Sequence, residues 1–164
     1  MNDLDLTISL LELMRRIGAA LFAGILVGWE REWRKKPAGL RTHMLVSLGS
    51  ATFTIVAFEI HDAIASDSPN VDPLRIVEGL VGGIGFLGAG TILQDRDRVR
   101  GITTAANIWL TGAVGVCCGL GLYVLAGVTI AGAVLTVAVL GFFTHSSRGD
   151  EEPSADSTSE REAE

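Results

Sequence analysis

IWLTGAVGVCCGLGLYVLAGVTIAGAVLTVAVLGFF, residues 108–143, runs for 36 residues without a single charge. At 1.5 Å per residue, one helix of that length would extend about 54 Å. A bilayer core is roughly 30 Å thick and is crossed by about 20 apolar residues. The run is too long for one crossing and suits two, divided at Gly119-Leu120-Gly121. Working outward from it gives five spans, at 9–29, 42–60, 73–93, 103–119 and 122–143. Asp72 is placed to cap the third, and Pro73 stands in its first turn.

Composition agrees with this count. The chain has 164 residues, of which 48% are hydrophobic, and its mean hydropathy is +0.41 despite a polar tail. A water-soluble domain of this size could not hide so much apolar surface. The net charge of -6 comes mostly from that tail, where seven acids stand against two arginines from Arg148 onward. The expected organisation is an all-α membrane domain over 1–144 and a disordered acidic tail over 145–164. Asp3 and Asp5 precede the first apolar run, so it reads as a retained span, not a cleavable signal. Cys117 and Cys118 are adjacent, a spacing poorly suited to a disulfide, and they read as small apolar residues.

Charge also sets an orientation. Arg31, Arg34, Lys35, Lys36 and Arg41 follow span 1, and Arg96, Arg98 and Arg100 follow span 3. The loop between spans 2 and 3 is acidic. Basic loops stay in the cytoplasm, which predicts an outside N-terminus and a cytoplasmic C-terminus. Trp29 and Trp33 then mark the inner interface, and Tyr123 the outer one.

Three groups of residues are candidates for function. The first is glycine: Gly24 with Gly28, Gly79 with Gly83, and the run through Gly88 and Gly90. Lipid gives helices no hydrophobic reason to associate, so such residues read as close-packing ridges. The other reading is a broken or mobile third span that lines a polar path. The second group is intramembrane charge. Arg16, Glu59 and Glu78 all lie roughly 20–25 Å from the inner boundary and could meet there. The alternative is that Arg16 pairs with Glu12 one turn earlier. The third group is the cytoplasmic rim, at Glu30, Arg31, Arg41, Asp95, Arg100, Thr103 and Asn107. Carboxylates and hydroxyls beside arginines suit a hydrated magnesium ion, a phosphate or the polar surface of a partner. The simpler reading is a positive-inside signal whose acids offset its bases.

These segments also carry a resemblance. Gly28-Trp-Glu-Arg-Glu32, Ala38-Gly-Leu-Arg-Thr-His43, Leu45-Val-Ser-Leu-Gly-Ser50, Arg75-Ile76, Gly83-Ile-Gly-Phe-Leu-Gly-Ala-Gly90, Val99-Arg-Gly101 and Thr103-Thr-Ala-Ala-Asn-Ile-Trp109 resemble the MgtC/SapB family. The match runs from about Arg16 to Tyr123. It implies a multi-pass inner-membrane protein tied to magnesium limitation, of a kind often called a magnesium transporter. It further implies kinship with virulence-associated factors for growth at low magnesium and inside macrophages, which restrain the F-type ATP synthase. Members of that kind carry a folded cytoplasmic C-terminal domain where this chain has its short acidic tail. They often have Asn where this chain has Thr103, and a small apolar residue is expected at Glu78.

The sequence thus points to a regulatory or adaptive membrane protein in magnesium and envelope homeostasis, working by helix contact with a membrane partner. A transporter of Mg2+, another cation or a small solute is the alternative. A transporter needs polar groups at every depth, and span 3 offers only Thr91 and Gln94 between Glu78 and Asp95. No nucleophile–base pair points to an enzyme. The expected surroundings are lipid, a membrane protein partner and further copies of the chain in a homo-oligomer, with no nucleic acid; no cofactor is expected beyond Mg2+.

Overall fold

The computed structural model of the chain describes residues 7–64, 72–95 and 98–146. They form five helices and one small hairpin: α1 (Leu10–Trp33), α2 (Leu40–Ile64), α3 (Leu74–Ala89), β1 (Leu93–Asp95), β2 (Arg98–Arg100), α4 (Ile102–Gly119) and α5 (Tyr123–Ser146). α2 and α4 have stretches long and apolar enough to cross a membrane. Of the expected tail over 145–164, His145 and Ser146 continue α5, and the rest lies outside the described residues.

Local signals start and stop these helices. The Ser9 side chain accepts from Glu12 N at the head of α1, and Asp72 Oδ1 accepts from Leu74 N (2.8 Å) at the head of α3. The third helix is shorter than its expected 73–93. It ends at Ala89, where Thr91 Oγ1 donates back to the Gly88 carbonyl (2.7 Å) and closes the last turn. Its 16 residues extend only about 24 Å. The chain then forms an antiparallel hairpin, with Leu93 opposite Arg100 and Gln94 opposite Val99. Gly101 joins hairpin to α4 at φ 92°, and a Cβ there would strike the Thr91 carbonyl oxygen. Only glycine accepts both conditions, which explains the Arg-Gly pair before the fourth helix.

α2 and α4 are the centre of the bundle. α1 packs on both, α3 packs on both from another direction, and α5 packs on α4 and α1. The inside is built of short residues. A Cβ on Gly24 would lie 2.6 Å from Met44 Cα, and one on Gly28 would lie 2.8 Å from Leu40 Cα. On α4, a Cβ on Gly115 would meet Ser47 and Ser50, and one on Gly119 would lie 2.7 Å from the Ala51 carbonyl oxygen. These contacts run α1 antiparallel to α2 and α4 parallel to it. Large apolar side chains point outward instead, among them Phe22, Phe53, Phe86, Trp109 and Val124. Small and polar residues inside with apolar bulk outside is the arrangement that lipid favours.

Candidate functional site

The loop between α1 and α2 and the β1–β2 hairpin lie at the same end of the bundle, because Pro37, Ala38 and Thr42 line one cleft with Leu87, Thr91 and Leu93. Most of the expected rim residues therefore gather at one end. Arg31 is 4% exposed and pairs through Nε with Glu30, which also takes Arg34 Nε at 2.7 Å. The Arg34 approach lacks hydrogen-bond alignment at Glu30 Oε1, so it is charge pairing alone. Glu32 Oε2 accepts from Leu40 N (2.9 Å) and so fixes the start of α2. On α4, Asn107 Nδ2 donates to the Thr103 carbonyl oxygen (2.8 Å), and the Thr103 side chain is exposed. Arg41 and Arg100 are exposed, and neither forms an ion pair among the described residues. The Asp95 backbone pairs with Arg98, and its side chain lies outside the described set.

The intramembrane charges do not meet as a group. Arg16 takes Glu12, with Nε 3.0 Å from Oε1, and its Nη1 donates to the Gly119 carbonyl oxygen (2.9 Å). Tyr123 Oη also donates to Glu12 Oε1 (3.1 Å). Glu59 instead accepts from Thr7 N (2.6 Å), Thr7 Oγ1 (2.7 Å) and Ile8 N (3.2 Å). Glu78 is exposed and has no hydrogen bond or ion pair among the described residues. The expected meeting of Arg16 with Glu78 fails for a simple reason. α1 packs on α2, α4 and α5, whereas α3 packs on α2 and α4, so equal depth does not make the two neighbours.

Glycine divides in the same way. Gly24 and Gly28 stand at backbone contact with α2, and a Cβ on Gly88 would lie 3.4 Å from the Ala105 carbonyl oxygen. A Cβ on Gly90 would meet only its own last turn. Gly79 and Gly83, expected to pack, would meet nothing within 4 Å, and the same holds for Gly82 and Gly85. All four are exposed, beside Phe86 at 80% exposure.

A buried polar stripe is the feature that sequence reading overlooked. His43, Ser47, Ser50 and Thr54 on α2 and Thr104, Asn107 and Thr111 on α4 are all buried. Most of them bond their own helix: Ser50 to the Val46 carbonyl oxygen, Thr54 to that of Ser50, and Thr111 to that of Asn107, at 2.7–2.8 Å. His43 Nδ1 lies 2.8 Å from the Gly39 carbonyl oxygen and donates to it, which leaves Nε2 buried with no partner among the described residues. Ser47 Oγ, one turn along, is also buried and unpartnered. The 43, 47, 50, 54 spacing is the signal that could have found this face.

Comparison with known proteins places this arrangement. The MgtC family model matches residues 17–147. YhiD of Escherichia coli (strain K12), named as a candidate magnesium transporter, is 45% identical over 132 residues, covering 80% of this chain and 60% of that protein. Protein MgtC of Salmonella typhimurium (strain LT2) is 46% identical over 103 residues, covering 63% of this chain and 41% of the relative. Protein MgtC of Brucella abortus is 44% identical over 106 residues, covering 65% and 42%. The chain thus spans between two fifths and three fifths of the length of these relatives. No solved structure matches. The chain belongs to the MgtC family, a family of membrane proteins.

Proposed function

We propose that this member of the MgtC family is a multi-pass inner-membrane protein that regulates adaptation to magnesium limitation by binding a membrane partner. The F-type ATP synthase is the partner that the resemblance implies. The observation that carries this reading is the open glycine face of α3. A helix presenting Gly79, Gly82 and Gly83 to lipid lets another helix approach its backbone closely, which is how transmembrane helices associate. The expected orientation keeps the N-terminus outside, so that the basic end, with Arg31, Arg41 and Arg100, faces the cytoplasm.

Transport of Mg2+ is the second reading. The unpartnered His43 Nε2 and Ser47 Oγ favour it, as does the name of the Escherichia coli relative. Against it, the other buried hydroxyls of the stripe are bonded within their own helices, and glycine closes the seam between α2 and α4. Magnesium entry into liposomes that hold the purified protein separates the two. The regulator gives entry equal to that of protein-free liposomes. Saturable entry above that background overturns the regulator in favour of the transporter.

A further inference from the structure

A cleft of about 360 Å³ opens at the basic end of the bundle, between α2, α3 and the hairpin. Pro37, Ala38, Leu87 and Leu93 give it apolar walls, and Thr42 and Thr91 contribute hydroxyls. Its size falls at the lower end of the range for small-molecule pockets. Thr91 Oγ1 already donates to the Gly88 carbonyl oxygen, whereas no hydrogen bond from Thr42 Oγ1 is found among the described residues. Cationic residues neighbour the lining residues in sequence and in strand register. Arg41 precedes Thr42, Lys36 precedes Pro37, and Arg100 stands opposite Leu93 in the hairpin register. Two nearby acids are engaged: Glu30 lies between Arg31 and Arg34, and Glu32 holds Leu40 N.

We propose that this cleft binds an anionic phospholipid, with an acyl chain along its apolar walls and the phosphate held by Arg41 and Arg100. Three features fit that ligand together. The cleft lies at the end of the helices, at headgroup level. Its walls are apolar and the residues neighbouring them in sequence and register are cationic, which matches a molecule with an apolar tail and an anionic head. Basic pockets between transmembrane helices capture anionic headgroups, because each Lys or Arg near the surface contributes favourable charge pairing. The Thr42 hydroxyl is placed to donate to a phosphate or ester oxygen. The proposal needs only a membrane protein, and it stands whether the chain regulates or transports.

Native mass spectrometry of the full chain in detergent, with equal phosphatidylglycerol and phosphatidylcholine added, tests it. Phosphatidylglycerol adducts should exceed phosphatidylcholine adducts on the order of 25-fold, about fivefold for each of two arginines. The Arg41→Gln/Arg100→Gln double variant should bring the ratio near one, while its thermal midpoint in phosphatidylcholine stays that of the parent. Thr42→Val should lower the adducts of both lipids by tenfold or more, on the order of one hydrogen bond to a charged group, and leave their ratio unchanged, since both carry the phosphate and the esters. Millimolar inorganic phosphate should leave the adducts in place. Equal binding of the two lipids by the parent, or an undiminished ratio in the double variant, overturns the site. Displacement by inorganic phosphate overturns the acyl-chain part.

Discussion

Two glycine ridges of the same spacing have opposite fates. Gly115 and Gly119 on α4 press against Ser47, Ser50, Ala51 and Thr54 of α2, where a side chain of any size would collide with backbone. Gly79 and Gly83 on α3 carry the same four-residue interval and meet nothing among the described residues. In the first case glycine is consumed by the fold of the single chain. In the second it is left over, although glycine within a helix costs roughly 0.5–1 kcal/mol relative to alanine. The difference teaches that a small-xxx-small interval records the closeness of approach, while the fold decides which helix does the approaching.

The largest effect expected from this contrast is on the closed ridge. Gly115→Leu should cost on the order of 3 kcal/mol or more, because the new side chain meets backbone that cannot move aside. Loss of the monodisperse peak in detergent, or a sharply lower thermal midpoint, checks it. A variant with parental stability would show that α2 and α4 are not in backbone contact.

The ends of α1 and α4 sharpen the comparison next. Arg16→Leu leaves Glu12 with only Tyr123 and Arg15 and the Gly119 carbonyl oxygen without its side-chain donor, so it should cost about 2 kcal/mol. A double-mutant cycle with Glu12→Gln should show coupling of about 1 kcal/mol, whereas the cycle with Glu78→Gln should be additive within about 0.5 kcal/mol. Coupling to Glu78 in place of Glu12 would put α3 against α1 and break the packing order described above.

A smaller effect tests the polar stripe. Ser47→Ala removes a buried hydroxyl that has no partner, so stability should stay level or rise by about 1 kcal/mol. Ser50→Ala removes a hydroxyl bonded to the Val46 carbonyl oxygen and should cost about 1 kcal/mol. Thermal midpoints of the two variants, measured side by side, give the sign. A larger loss at Ser47 than at Ser50 would mean that Ser47 has a ligand or a water to hold.

The sequence made the helices readable and their neighbours unreadable. Charge-free runs place α4 and α5 within a residue or two of their starts, since apolar length is what a bilayer measures. The third helix was read past its end because Gly90, Thr91 and Ile92 are as apolar as a span, and its stop is a hydrogen bond from Thr91 to Gly88. The hairpin of Leu93–Asp95 with Arg98–Arg100 is unreadable for a related reason: strands of three residues are too short for an alternating pattern to stand out. At the candidate site, position along the membrane normal could be counted from the sequence and position around the bundle could not. That is why Arg16 and Glu78 seemed partners at equal depth, and why Arg16 turns instead to Glu12, one turn away on its own helix. His43 lies inside a family-like motif, yet the burial of its Nε2, with no partner among the described residues, depends in part on Gly24 and Gly28 of α1 packing against it, which no local pattern records.

The open ridge is where the account stands or falls. Gly82→Leu/Gly83→Leu places bulk on the open side of α3, so the monomer should keep its fold and even gain helix stability. The decisive measurement is growth of a deletion strain at low magnesium with this variant, at matched membrane levels and thermal midpoint. The account predicts that growth is lost although the protein is intact. Full restoration of growth would contradict it, because a docking face blocked by two leucines could not then be the surface through which the chain acts.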